Sequence, residues 1–180
     1  MTTYIALLRA VNVAGRNMVS MGDLRAFLAA IGMREPRTLL QSGNAIFESA
    51  SSSSAAVARK LETEAAKRLG LKTRFFVRSA KEWNAAIAAN PFPAEARDDP
   101  GHLILLCLEH APEKASVTAL QKAIQGREVV KASGPHLYAV YPDGVGRSKL
   151  TNAMIEKHLG TVTTGRNWNT VLKLGALAGE

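Results

Sequence analysis

Cysteine is nearly absent from this chain: of its 180 residues, only Cys107 is one. A lone cysteine excludes an intramolecular disulfide and a thiolate metal cluster, and it fits a reducing compartment. Within "LILLCL" it reads as a small packed hydrophobe rather than a nucleophile. Long apolar runs are missing as well. "YIALL" and "LILLCL" stop far short of the roughly 18 to 20 residues that a membrane-crossing helix requires. The first residues lack the basic start, apolar stretch and small-residue cleavage site of a secretory signal. These absences lead to the expectation of a cytoplasmic protein with no membrane partner. Aromatic residues make up 6% and form no tandem platform for stacking bases.

The catalytic and metal motifs are missing too. His102, His110, His136 and His158 show no paired ligand spacing, and Asp98-Asp99 lie in the polar stretch "PAEARDDPG", read as a hydrated loop. No metal site and no cofactor are expected. The "GVGRSK" of residues 144–149 lacks the spacing of a Walker phosphate loop, and neither a GxSxG elbow nor an HExxH helix occurs.

What is present is apolar content of 47%, enough to fill a core, and a formal charge of +8. Residues 1–90 hold a net +7 and residues 91–180 a net +1. The densest basic part, residues 59–81, sets Arg59, Lys60, Lys67, Arg68, Lys72, Arg74, Arg78 and Lys81 against only Glu62 and Glu64. Such a field attracts anions, nucleic acid or an acidic membrane surface. A solvated helix face is the more ordinary reading of such a run, and the nucleic-acid case rests on charge alone.

One order of elements occurs twice. "TYIALLRAV" reads as a strand, and "SMGDLRAFLAAIG" as a helix capped by Ser20 and stopped by Gly32. "PRTLLQSGNAIFES" gives two strands turned at Ser42-Gly43, followed by a serine-rich connector, a helix with Val57, Leu61 and Leu69 in register, and the strand "TRFFVR". A connector helix from Ser79 carries Trp83 and Ile87 on one face. The order then repeats through "HLILLCLEH", "PEKASVTALQKAI", "REVVKA", "HLYAVYP", "SKLTNAMIEKHLG" and "TVTTG", with a last helix beyond. The expected fold is α+β: two ferredoxin-like βαββαβ subdomains packed together, with a C-terminal helix. Residues 1–78 and 102–180 form the halves, and 79–101 the connector helix and loop. The continuous runs "YIALL" and "LILLCL" mark strands buried on both faces, so the halves are expected to cover each other and leave a cleft for a site.

Polar clusters at element ends supply the candidate site. In "RAVNVAGRN", Arg9 lies among apolar neighbours and needs either a structural carboxylate or a ligand, while Asn12, Gly15, Arg16 and Asn17 lead to a helix start that favours anions. In "QSGN", Gly43 serves the turn, and Ser42 and Asn44 close local hydrogen bonds. In "GRSKLTN", Ser148 reads as a helix cap with Arg147 and Lys149 at a positive dipole end, which is favourable if an anion sits there. In "TTGRNWNT", Asn167 reads as the cap of the last helix, with Trp168, Val171, Leu172 and Gly175 on its core face. Arg166, Asn169 and Thr170 then gather donors that either hold a phosphate or carboxylate or tie the helix down.

"YIALLRAVNVAGRN", "QSGNAIF", "NPF", "GRSKLTN" and "TTGRNWNT" together resemble the bacterial family called domain of unknown function 1697. The resemblance implies a cytoplasmic protein of two ferredoxin-like halves without an established activity. The family's motif positions correspond to Arg9, Asn12, Gln41, Ser42, Gly43, Asn44, Ser148, Lys149 and residues 166–170. Where that family often has a Gly-Gly-Lys-type loop, this chain has Val13-Ala14-Gly15-Arg16. The expected function is binding of an anionic, phosphate-containing ligand, a small molecule or nucleotide, in the cleft. Arg9, Asn12, Lys149 and Arg166 would hold it, and Ser42, Asn44, Asn169 and Thr170 would orient it; Gly43, Ser148, Asn167 and Trp168 are structural. Two alternatives stay open: an enzyme acting on a phosphorylated or nucleotide substrate, and nonspecific nucleic-acid binding through residues 59–81.

Overall fold

A computed structural model describes residues 1–179. The chain is a mixed α+β protein with two four-stranded antiparallel sheets, and it divides into two compact units. The first holds Met1–Ala85 and the residues from Leu174 on; the second holds Ala86–Lys173.

In the first unit the order is β1 (Thr2–Leu8), α1 (Met21–Ala30), β2 (Arg34–Thr38), β3 (Asn44–Ser49), α2 (Ser54–Leu69) and β4 (Phe75–Ser79), followed by the start of α3 (Ala80–Ala88). The sheet order is β2-β3-β1-β4, so β1 lies inside and pairs on both edges, Ile5 with Ile46 and with Arg78. Because side chains alternate across a strand, Tyr4, Ala6 and Leu8 share one face and Ile5 and Leu7 the other. The first face joins Leu24, Phe27 and Leu28 of α1 and Val57, Leu61 and Ala65 of α2 in a core. The second is buried too, with Ile5, Leu7 and Ile46 all at 0% exposure. A strand hidden on both faces has no polar side to alternate with, which is why "YIALL" is uniformly apolar.

Local chemistry sets the helix limits. The Ser20 hydroxyl accepts from the Asp23 N–H and that of Ser53 from the Ala56 N–H, each capping an otherwise orphaned donor. Gly70, in the left-handed region, ends α2. Two expectations are corrected here. Leu69 is exposed and Ala65 takes the buried position, because a 16-residue helix keeps only Val57, Leu61 and Ala65 in step with the sheet. The β2–β3 connection is also longer than a two-residue turn, comprising residues 39–43 with Leu40 and Gly43 at positive φ.

The second unit runs from the end of α3 through α4 (Pro93–Asp98), β5 (Leu103–Leu108), α5 (Lys114–Ala123), β6 (Val129–Ser133), β7 (His136–Val140), α6 (Asn152–Leu159), β8 (Thr163–Asn167) and the start of α7 (Trp168–Gly179). Its sheet order is β6-β7-β5-β8. Leu106, Leu108, Leu137 and Ala139 pack with Leu120 of α5 and Ile155 and Leu159 of α6, while Leu105, Cys107 and Tyr138 on the opposite face are fully buried.

Three further corrections belong to this unit. The stretch at 93–98 is helical, begun by Pro93 at a first-turn position where a missing N–H costs nothing. Asp98 is held there by Arg97 at 2.7 Å, and Asp99 meets the His102 ring at 2.8 Å. α6 is capped by Thr151, whose hydroxyl accepts from the Met154 N–H, and not by Ser148. Finally, β8 extends to Asn167, so Arg166 is a strand residue rather than a loop residue ahead of a cap.

Among the described residues no helix is long and apolar enough to cross a membrane.

Candidate functional site

In the first unit the structure brings two of the polar clusters together. The loop after β1 meets residues 39–43 at Asn12. Its amide nitrogen donates to the Val19 carbonyl at 2.9 Å and to the Gln41 carbonyl at 2.8 Å, and its amide oxygen accepts from the Val19 N–H at 2.9 Å. Both amide hydrogens are thereby used within the protein, so Asn12 builds the site more than it offers itself to a ligand. Gly43 closes the same junction: its carbonyl accepts from the Leu8 N–H at 2.9 Å, and a Cβ there would lie 2.5 Å from Val11 and 2.9 Å from Leu8. Asn44, fully buried, donates to the Leu39 carbonyl at 2.6 Å and to the Ser42 hydroxyl at 3.0 Å.

The loop so fixed is strained. Ala10, Asn12, Ala14 and Asn17 have φ of 49° to 53° and Gly15 of 73°. A left-handed conformation costs roughly 1 kcal/mol or more at each non-glycine residue. Arg9 sits one residue past β1, its N–H bonded to the Arg74 carbonyl at 3.0 Å and its carbonyl accepting from Thr73. Arg16 is exposed at the loop tip, where its N–H returns to the Val13 carbonyl at 3.0 Å. The tip N–H groups of Ala14 and Gly15 carry no hydrogen bond among the described residues.

In the second unit, Arg166 lies on β8 with 9% of its surface exposed. Its guanidinium donates to the Thr164 hydroxyl at 2.9 Å and to the Gly165 carbonyl at 2.8 Å. Burial pushes its pKa down to about 10, with Cys107 pulling the other way, so it remains a cation at neutral pH. The Asn167 side chain accepts from the Thr170 N–H at 3.0 Å and starts α7. The buried face of that helix is Trp168, Val171, Leu174 and Ala178; Leu172 is 44% exposed, a correction to the sequence reading. Trp168 packs against Tyr138 with ring centroids 6.4 Å apart. Thr170 is buried and Asn169 exposed. Lys149 stands apart. It is exposed on the connection to α6, ahead of the Thr151 cap, and no hydrogen bond or ion pair joins it to Arg166, Asn169 or Thr170 among the described residues. Ser148 turns to Glu128 instead, donating at 2.5 Å, and accepts from the Leu150 N–H at 3.0 Å.

One feature of the first unit has no counterpart among the residues singled out from the sequence. A hollow of about 590 Å³ opens at the other end of β1, lined by Tyr4, Ser53, Ser54, Ser79, Lys81 and Glu82 among others. Ser79 and Glu82 form a reciprocal capping box at the start of α3: the Ser79 N–H donates to the Glu82 carboxylate at 2.7 Å, and the Glu82 N–H to the Ser79 hydroxyl at 3.2 Å. Ser54 adds a bond to the same carboxylate at 2.6 Å. The S-x-x-E spacing at 79–82 marks a helix start in the sequence, but it carries no sign of the hollow.

A chain of two four-stranded antiparallel sheets of this order is similar in fold to the conserved bacterial protein SP0830 from Streptococcus pneumoniae. The TM-score is 0.77 at 24% identity, covering 100% of this chain and 99% of that one. Among curated proteins, nothing matches. The chain belongs to the family described as protein of unknown function DUF1697, whose model matches residues 1–138. Arg9, Asn12 and residues 41–44 fall within that match; Lys149 and residues 166–170 lie beyond it.

Proposed function

We propose that this protein binds an anionic, phosphate-containing ligand, and that its halves, 1–78 and 102–180 joined by 79–101, are ferredoxin-like folds that carry the binding residues. The observation that supports this reading best is the strained loop after β1. Five left-handed residues hold its tip in one shape, and Asn12 locks that shape from inside. Backbone outliers of this kind cluster at ligand clamps, and turns in which left-handed residues follow right-handed ones aim successive N–H groups into anion-binding concavities.

Arg9 and Arg16 supply charge, the Ala14 and Gly15 N–H groups supply neutral donors, and Ser42 orients. Asn12 and Asn44 hold the loops. In the second unit Arg166, Asn169 and Thr170 are the remaining candidates, with Lys149 apart from them, and their part is tested on its own. An enzyme acting on a phosphorylated or nucleotide substrate would need a reacting group beyond these donors. Binding through the whole basic segment 59–81 is less favoured, because Arg68 is paired with Glu64 at 2.6 Å and Lys60 is bonded to the Ile31 carbonyl at 2.8 Å.

The test is thermal unfolding with inorganic phosphate, ribose 5-phosphate, ATP and citrate, for the parent and for Arg9→Ala, Arg16→Ala and Arg166→Ala. A specific ligand at about 100 times its Kd adds about 2.7 kcal/mol, several degrees in Tm, to the parent. That rise should shrink sharply in Arg9→Ala and Arg16→Ala. Loss confined to Arg166→Ala moves the site to the second unit, and no rise with any phosphate compound overturns the reading.

A further inference from the structure

The end of the first sheet that carries the strained loop is also where this unit gathers cations around exposed aliphatic side chains. Antiparallel pairing of Leu8 with Phe75 places the end of β1 beside the start of β4, so Lys72 and Arg74 flank Arg9. Arg16 and Lys72 are exposed, Arg74 is half exposed beside Glu62, and Lys67 in the last turn of α2 is exposed on the approach to the same end. Around the Asn12 junction, Val13, Met18 and Leu40 are 58%, 66% and 55% exposed, each adjacent in sequence to a residue that the junction joins.

We infer that this end of the first unit is an interface for double-stranded DNA, the phosphate backbone being gripped by Arg9, Arg16, Lys72 and Arg74 while the aliphatic loop tips enter a groove. The inference rests on the phosphate-binding reading above and extends it to a ligand presenting several phosphates in a row. Three of the four cations are arginines, whose planar forks match phosphate oxygens. The apolar residues decide between polyanions. Single strands are held by exposed aromatic stacking, and the two phenylalanines of this end, Phe75 and Phe76, are buried. Peripheral membrane contact uses the apolar face of an amphipathic helix, whereas Val13, Met18 and Leu40 stand outside any helix. Proteins that press into the minor groove insert leucine- or methionine-type wedges beside arginine, asparagine and glutamine, as Met18 and Leu40 lie beside Arg16, Asn17 and Gln41. A loop already locked in shape loses little conformational freedom on docking.

Fluorescence anisotropy with a labelled DNA duplex of about 20 base pairs, titrated across salt concentrations, tests this. The parent should bind with a log–log salt slope of about −0.9 for each phosphate engaged, near −3 to −4 for four contacts. Arg16→Ala and Lys72→Ala, both at exposed positions and expected to keep the parent Tm, should each reduce that slope by about one. Met18→Ser should weaken the duplex complex without changing the slope. Equal or tighter binding of a (dT)20 strand, or cosedimentation with phosphatidylserine vesicles in place of duplex binding, overturns the inference, as does duplex binding that Arg16→Ala and Lys72→Ala leave unchanged. A phosphate-dependent Tm rise lost in Arg16→Ala, with no duplex binding, removes this inference and leaves the small-anion reading intact; absence of both responses removes both.

Discussion

The Asn12 side chain reaches across 29 residues of sequence to the Gln41 carbonyl, 2.8 Å away, and fastens two loops of the first unit to each other. With its two bonds to Val19 it holds a backbone that would otherwise relax out of the left-handed region.

Asn12→Ala should therefore cost about 2–3 kcal/mol, near 1 kcal/mol for each of three net hydrogen bonds. Arg16→Ala, at the tip of the same loop, should stay within about 0.5 kcal/mol. Urea unfolding of the two variants separates them. Equal stabilities would mean that the junction does not hold the loop.

Gly43→Ala should be far worse than the same change at Gly70. Both glycines have positive φ, 81° and 62°, but a Cβ on Gly43 meets Val11 at 2.5 Å whereas nothing lies within 4 Å of one on Gly70. Backbone strain alone predicts about 1 kcal/mol at Gly70, and added overpacking about 2–4 kcal/mol at Gly43. Comparable melting temperatures for the two variants would contradict the close approach.

Glu82 gives the first unit a pH-dependent contribution. Burial pushes its carboxyl pKa up, but bonds from Ser54 and Ser79, aided by Arg78, more than offset this and hold it below its ordinary 4.5. A carboxyl depressed on folding stabilises fully above that ordinary value, and the contribution is lost as pH falls through the folded pKa. The stability gap between the parent and Glu82→Gln should thus be open at neutral pH and narrow on acidification below about 4.5. Chemical unfolding at a series of pH values reads it directly; a gap that widens in acid would reverse the assignment.

On the last helix, Trp168→Ala should cost about 3–5 kcal/mol and Leu172→Ala less than about 0.5 kcal/mol. Trp168 is 3% exposed and touches Tyr138, while Leu172 is 44% exposed. Thermal unfolding of the pair distinguishes the observed face from the one read off the sequence, on which both residues pack.

By itself the sequence determined what depends on near neighbours. "YIALL" and "LILLCL" are apolar at every step because both faces of β1 and β5 are buried, and Ser20, Ser53 and Asn167 cap their helices through bonds spanning three residues. The order of strands and helices in each half was legible for the same reason: periodicity and capping act within a turn or a strand. Where two local answers compete, tertiary structure chose. Ser148 and Thr151 are both able caps, and Glu128 drew Ser148 away. Arg166 reads equally well before a helix or inside a strand, and the pairing of β8 with β5, Arg166 opposite Leu105, put it in the sheet.

The junction of Asn12 with Gln41, the left-handed loop around it and the hollow beside Ser79 and Glu82 lay beyond local reading altogether. A side-chain amide carries no trace in the sequence of which distant carbonyl it will meet, and a non-glycine residue holds a positive φ only because contacts formed on folding outweigh its strain.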